Sequence, residues 1–148
     1  MARLLLDAMC GGIRAQLRMC GHDAAFALDR GIEESDRLLE LAESEERRIV
    51  TRNRRLADRA DDAILLTTRE PADQLAELAA AGIDLSLPEA PQRCGRCNGV
   101  LSGVDVGTDT PEYAPDPEEE EALWRCVDCG QFFWRGSHWE RVRAALPE

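Results

Sequence analysis

Cys94-Gly95-Arg96-Cys97 and Cys126-Val127-Asp128-Cys129 are two C-x-x-C knuckles separated by 28 residues. Each knuckle can present two thiolates to one ion, so the pair predicts a tetrahedral zinc site with four sulfur ligands. Four thiolates leave no open coordination position, which makes such a zinc structural. Gly95 and Gly130 suit tight turns beside the metal. Disulfides or a thioredoxin-like redox pair are the rival readings, and two matched knuckles in a reducing compartment fit both poorly. Cys10 and Cys20 lack partners at ligand spacing and read as small core residues.

A second set of residues offers oxygen ligands. Asp7 directly follows the apolar run Leu4-Leu5-Leu6; Asp36 opens a helical segment behind Glu33 and Glu34; Thr51-Arg52-Asn53 follows Ile49-Val50. Carboxylates converging from separate loops suit Mg²⁺ or Mn²⁺, hard cations that activate water for phosphodiester cleavage. The simpler reading stays open, in which Asp36 complements a helix dipole and Asn53 caps the next turn. Beside these acids, residues 47–59 hold Arg47, Arg48, Arg52, Arg54, Arg55 and Arg59 against the single acid Asp58. Arg14 and Arg18, four apart, share one helix face. Guanidinium forks bind phosphate oxygens bidentately. Pairing with Glu40, Glu43, Glu45 and Glu46 is the competing use of the same arginines.

The elements that must position these groups alternate. Strands are expected at Leu4–Leu6, Ala24–Leu28, Ile49-Val50 and Ala63–Leu66. Between them lie a helix entered at Gly11-Gly12 with Ile13, Leu17 and Cys20 on one face, stopped by Gly21, and a helix over Glu33–Glu46 with Leu38, Leu41 and Ala42 inward. Pro71 opens a last helix carrying Leu75, Leu78 and Ala79 and ending at Gly82. Such alternation predicts a parallel sheet covered on both faces, whose ligands bind outside the carboxyl ends of the strands. Pro88 and Pro91 mark a linker, giving an α/β domain at 1–90 and a zinc ribbon with a C-terminal helix at 91–148. The acid- and proline-rich stretch Thr108–Glu121 reads as a solvated excursion between two ribbon strands. Trp124, Phe132, Phe133 and Trp134 could stack bases but read first as the ribbon's core. His138 begins a helix that turns Trp139, Val142 and Leu146 inward, where a capping or packing role is the simpler expectation.

Composition bounds the partners. The chain has 29 acidic and 18 basic residues, every basic one an arginine, for a net charge of −11. That balance argues against broad electrostatic binding of DNA or an anionic membrane and fits a salt-adapted organism. In molar salt the Debye length is about 3 Å, so phosphate recognition has to work through close arginine contacts and metal ions. No apolar run approaches the roughly 18 residues of a membrane span, and a cytoplasmic location is expected.

The motifs together resemble the Mut7-C RNase domain family, a PIN-like nuclease fold joined to a zinc ribbon. The resemblance runs nearly end to end. Asp7-Ala8-Met9-Cys10-Gly11, Leu17-Arg18 and Gly21-His22-Asp23 are similar to the family's opening motif. Ser35-Asp36-Arg37-Leu38-Leu39 with Ala42 resembles its acidic helix; Arg48-Ile49-Val50-Thr51-Arg52-Asn53 with Leu56 resembles its T-R-D segment, and Gln74-Leu75 its last helix. Arg93 to Gly99 resembles its first knuckle, and Cys126 to Gly130, Trp134 and Gly136-Ser137-His138-Trp139 resemble the second knuckle and the C-terminal motif. The resemblance implies a metal-dependent ribonuclease acting on single-stranded RNA, with catalytic positions Asp7, Asp36 and Asn53 and Mg²⁺ or Mn²⁺ on the two aspartates. On this reading Arg18, Arg52, Arg54 and Arg55 are expected to hold RNA phosphates, the resemblance adds His138 as an RNA contact, and Cys94, Cys97, Cys126 and Cys129 are expected to hold structural zinc. One departure stands out: the family's T-R-D aspartate is Asn53 here, which keeps an oxygen but removes a charge. The alternative expectation is therefore a catalytically degenerate RNA- or ribosome-associated binding protein of the same fold.

Overall fold

The structure, a computed structural model, describes residues 1–105, 107–116 and 122–147. Four parallel strands, β1 (Arg3–Leu6), β2 (Asp23–Phe26), β3 (Arg48–Thr51) and β4 (Ala63–Leu65), form a sheet in the order β2-β1-β3-β4. Period-two alternation splits the apolar residues between its faces. Leu4, Leu6, Ala24, Phe26, Val50 and Ile64 face one way, toward Ile13 and Leu17 of the first helical segment and Leu75 and Leu78 of α4 (Pro71–Ala80). Leu5, Ala25 and Ile49 face the other way, toward Leu38 and Ala42 of α2 (Ser35–Ser44) and Leu56 of α3 (Arg54–Arg59). The sheet is thus buried on both sides, as its near-continuous apolar strands require.

Several boundaries differ from the sequence expectation for identifiable reasons. The first helix starts as a 3-10 turn, Ala8–Ile13, before becoming α1 (Arg14–Met19). Asp7 begins it, its carboxylate accepting the Ala8 N–H and its carbonyl the Cys10 N–H. Gly11 is needed inside that turn, because a Cβ there would lie 2.5 Å from the Phe26 ring. The second strand ends at Phe26 rather than Leu28, since Ala27–Arg30 winds into another 3-10 turn closed by the left-handed Gly31. The second helix is shorter than Glu33–Glu46 by two residues at each end. Helix α3 has no apolar periodicity to announce it: only Leu56 of its six residues is buried. On α4 the inward positions are Gln74, Leu75 and Leu78, while Ala79 is exposed.

After α4, β5 (Leu101–Gly103), β6 (Trp124–Cys126) and β7 (Phe132–Phe133) make a three-stranded antiparallel sheet, followed by α5 (Ser137–Ala145). The excursion between β5 and β6 is tied back to the ribbon, where a purely solvated loop was expected. Tyr113 stacks on Trp134 with ring centroids 6.3 Å apart, and its hydroxyl accepts the Phe132 N–H at 3.0 Å. Residues 106 and 117–121 of this stretch lie outside the described part of the chain. Trp139 and Val142 of α5 bury themselves against Met19 of α1, joining the C-terminal helix to the sheet region. Among the described residues no helix is long and apolar enough to cross a membrane.

Candidate active site and metal centre

The two knuckles converge. The Sγ atoms of Cys94 and Cys129 lie 3.7 Å apart, those of Cys97 and Cys126 3.4 Å apart, and all four fall within 4.8 Å of one another. Four sulfurs placed about 2.3 Å from one central ion stand roughly 3.8 Å from each other, so the set fits zinc. Each knuckle is shaped by its backbone. Asn98 N–H returns to the Cys94 carbonyl and Cys94 N–H to the Gly99 carbonyl, each at 2.8 Å, with Asn98 left-handed at φ 74°. Gly99 cannot carry a side chain, because a Cβ would meet Cys126 Sγ at 2.7 Å and Asp128 Oδ2 at 2.6 Å. Burial pushes the Cys94 thiol up to about 12. At Cys126 burial acts the same way, but N–H groups of Cys129 and Asp128 outweigh it and bring the thiol down to about 7. Metal ligation requires all four as thiolates, so binding displaces protons from this cluster.

The first knuckle is bonded to the sheet. Asn98 Oδ1 accepts the Ala24 N–H of β2 at 2.9 Å, and Asn98 Nδ2 donates to Asp23 Oδ1 at 2.6 Å. Asp23 also receives Arg47 at 2.8 Å and Arg3 at 3.2 Å. Burial alone would raise the Asp23 carboxyl; the Arg47 and Asn98 hydrogen bonds and the charges of Arg47 and Arg93 hold it below the ordinary carboxylate range. Arg18, expected to hold phosphate, is only 1% exposed. Its Nε donates to the Ala24 carbonyl and its NH1 to the Gly95 carbonyl, both at 3.0 Å. Burial draws its pKa down while Asp29 opposes that. A guanidinium committed to two carbonyls at this depth is a clamp between knuckle and sheet rather than a surface for RNA.

At the carboxyl edge the ends of β1 and β3 meet. Asp7 N–H donates to the Val50 carbonyl, and Asp7 Oδ2 accepts the Thr51 hydroxyl at 2.7 Å. Thr51 Oγ1 in turn accepts the Asn53 N–H at 2.9 Å, so Asp7, Thr51 and the backbone of Asn53 form one chain of hydrogen bonds. The Asn53 side chain is the N-cap of α3, its Oδ1 accepting the Leu56 N–H at 3.3 Å. Asp36 stands in the first turn of α2 and is ion-paired with Arg59 at the end of α3, its side chain 76% exposed. Among the described residues, the cysteine quartet is the one group of three or more His, Cys, Asp or Glu ligand atoms that closes to this distance. Cys10 is buried beside Asp7 and Arg52, and burial, followed by the Asp7 charge, raises its thiol to about 12; it is an inert core residue.

The basic stretch divides. Arg47 is spent on Asp23 and Glu45, Arg48 pairs with Asp62, and Arg59 with Asp36. Arg54 and Arg55, exposed on the first turn of α3, and the half-buried Arg52 make no ion pair or side-chain hydrogen bond among the described residues. Arg52 Nε is in fact buried without a partner. The helical position of His138 is described, at the start of α5, but its side chain lies outside the described residues.

Two contributors act in ways the sequence reading did not specify. The Thr51 hydroxyl, fully buried, couples Asp7 to the residue-53 backbone, although its type alone suggested only polarity. Glu77 of α4 accepts both the N–H and the hydroxyl groups of Thr67 and Thr68 just beyond β4. Burial would raise its carboxyl, but those bonds keep it low and pin the fourth carboxyl edge.

The Mut7-C RNAse domain family model matches residues 2–146 of the 148-residue chain. No curated protein and no solved structure matches it.

Proposed function

Since the chain belongs to the Mut7-C RNAse domain family, we propose that it hydrolyses phosphodiester bonds of single-stranded RNA at the carboxyl edge of its sheet, with Mg²⁺ or Mn²⁺. The observation carrying this reading is the Asp7–Thr51–Asn53 hydrogen-bond chain, which joins two of the three expected catalytic positions where an open parallel sheet places its ligands. The donor chemistry fits a hard cation best at Asp7, a half-exposed carboxylate whose two oxygens are each fixed by one hydrogen bond and keep lone pairs free. Such a cation would supply charge stabilisation and activate water. Asp36 would join by exchanging Arg59 for the cation, and Asn53 contributes an amide oxygen only when it relaxes its cap.

Arg52, Arg54 and Arg55 would hold phosphate at this edge, and His138 is kept as an RNA contact on the strength of the family motif alone. With a net charge of −11, the chain attracts RNA through these short-range forks rather than through its overall field. The zinc ribbon would be structural, and the setting cytoplasmic. A second reading, RNA binding without turnover, is favoured by the two non-ideal positions: Asn53 is occupied as a cap and Asp36 by Arg59.

Cleavage of labelled single-stranded RNA in Mn²⁺ separates the two. The enzyme reading expects turnover that Asp7→Asn abolishes, and turnover surviving that change would sink the site. Asn53→Asp keeps an equally good N-cap, so it should leave α3 intact. The enzyme reading expects it to strengthen metal binding and raise cleavage. The binding reading expects weaker RNA retention and no turnover, because it adds negative charge beside phosphate.

A further inference from the structure

A cleft of about 470 Å³, with none of the carboxyl-edge residues in its lining, sits at the seam between α1 and the ribbon. Its lining includes Phe133 and Trp134, the small residues Ala15 and Gly95, and the polar residues Arg96 and Gln131. If the ribbon's aromatics served only as filler, all would be buried. Phe132 is, at 7% exposure, but Phe133 and Trp134 keep part of their rings open. The rings are also held in place. Trp134 is stacked by Tyr113 on one side, and its Nε1 lies so close to Gly136 that a Cβ there would stand 2.5 Å away. Small residues complete the lining, with the Ala15 Cβ only 3.7 Å from where a Gly95 Cβ would be.

From these observations we infer that the cleft is a base-stacking site for single-stranded RNA, a reading that rests on the proposed function and gives it a second contact region. Part-exposed aromatic side chains in a cleft offer a face to any nucleobase. Two polar lining residues supply the edge contacts: Arg96 NH1 donates to Gln131 Oε1 at 3.3 Å, leaving other guanidinium donors and the Gln131 amide N–H groups for a base edge. A chain of net −11 gains little from its overall field on a polyanion, so affinity has to come from contacts that do not depend on it, and stacking is such a contact. Position also suits one strand serving both regions. The 3-10 turn and α1 lead from Asp7 to Ala15 without a break, a run of at most about 15 Å at the rises of the two helix types.

The test uses the full zinc-loaded chain without added Mg²⁺ or Mn²⁺, so that binding is read apart from cleavage. Fluorescence anisotropy follows a labelled ten-nucleotide single-stranded RNA, the same sequence as a duplex, and a ten-residue abasic strand. Ala15→Leu fills the slot from the helix side, where leucine is well tolerated. Phe133→Leu removes the ring and keeps bulk. Both variants are first shown to hold zinc and melt as the parent does; if one does not, the other decides, and Ala15→Met replaces a failed Ala15→Leu. Expected is about tenfold weaker binding of the single strand in each variant, quenching of tryptophan fluorescence by RNA in the parent, and poor binding of duplex and abasic strand. Equal affinity of parent and variants, equal binding of the abasic strand, or no binding of RNA by the parent overturns the site and leaves the cleft to an apolar protein side chain. Loss of binding in the variants of a protein that never cleaves RNA would retire the nuclease reading and keep the cleft.

Discussion

The sheet and the ribbon solve the same problem with different materials. The four-stranded sheet is sandwiched between two apolar clusters, one on each face, in which Leu4, Leu5, Leu6, Ile49 and Val50 are essentially inaccessible to water. Its geometry follows from burial, and its polar residues are free to gather at the strand ends. The ribbon has strands of two and three residues and a few buried side chains, of which two are the cysteines Cys94 and Cys126. Too small to fold on its own apolar area, it relies on a point of convergence for its knuckles and on the sheet for support. A region organised by burial tolerates change at its rim, whereas a region organised by a few directed contacts does not.

The largest break expected is at the knuckles. Serine in place of any one of Cys94, Cys97, Cys126 or Cys129 should abolish stoichiometric zinc and remove amide-exchange protection from β5–β7 while the parallel sheet keeps its own. Zinc in small modules of this type is worth about 10–16 kcal/mol at neutral pH, more than a ribbon core can replace. Metal content near one zinc per chain in the parent is the companion measurement, and its absence would remove the basis for the contrast.

Next comes the core. Leu5→Ala empties a fully buried position between β1 and the α2–α3 layer, and should cost about 2–5 kcal/mol in urea unfolding. Here the sheet fails first, which is the reverse of the cysteine result. The seam is smaller than both. Asn98→Ala strips the partner from the Ala24 N–H and one from Asp23, at an expected cost of about 1–3 kcal/mol. A double-mutant cycle with Asp23→Asn should show non-additivity, since both belong to one network. Simple additivity would mean that knuckle and sheet are not coupled there.

The smallest effect is in acid. Asp23 has its carboxyl lowered in the fold, so its contribution is fully present above the ordinary aspartate value near 3.9 and is lost as pH falls through the lowered value. Stability measured from pH 5 downward should therefore fall more steeply in the parent than in Asp23→Asn. Parallel curves would show that the Arg47–Asp23–Asn98 network is not titrating.

The same contrast explains what could be read from the sequence. The strands were legible because Leu4–Leu6, Ile49-Val50 and Ala63–Leu66 are apolar runs that have only one place to go. The cysteine quartet was legible because a shared metal ion would set the knuckle spacing. Helix α3 was not, since Arg54-Arg55-Leu56-Ala57-Asp58-Arg59 has a single buried side chain and draws its position from the Asn53 cap. Arg18 misled for a related reason. Four residues from Arg14 on a short helix, it has the spacing of a surface pair, and only the docking of a segment 77 residues away reveals that its guanidinium faces inward. Directed contacts between distant segments leave no periodic trace, so the seam and the Asp7–Thr51–Asn53 hydrogen-bond chain had to await the fold, while burial and ligand spacing did not.

Strand β2 is the outer strand of the parallel sheet on one side, with Ala24 presenting its N–H and its carbonyl away from β1. Such an edge is a template for a strand from another molecule. Here Asn98 takes the N–H and Arg18 the carbonyl, so the knuckle acts as an end-stop that caps the sheet without extending it. The consequence concerns solubility rather than catalysis. A chain stripped of its metal would lose Asn98 from this position and bare a short, apolar pairing edge in a protein otherwise protected by its charge. Demetallated protein should then self-associate through β2, more readily as salt screens its −11 charge, and the ribbon would serve the parallel sheet as a guard against its own copies.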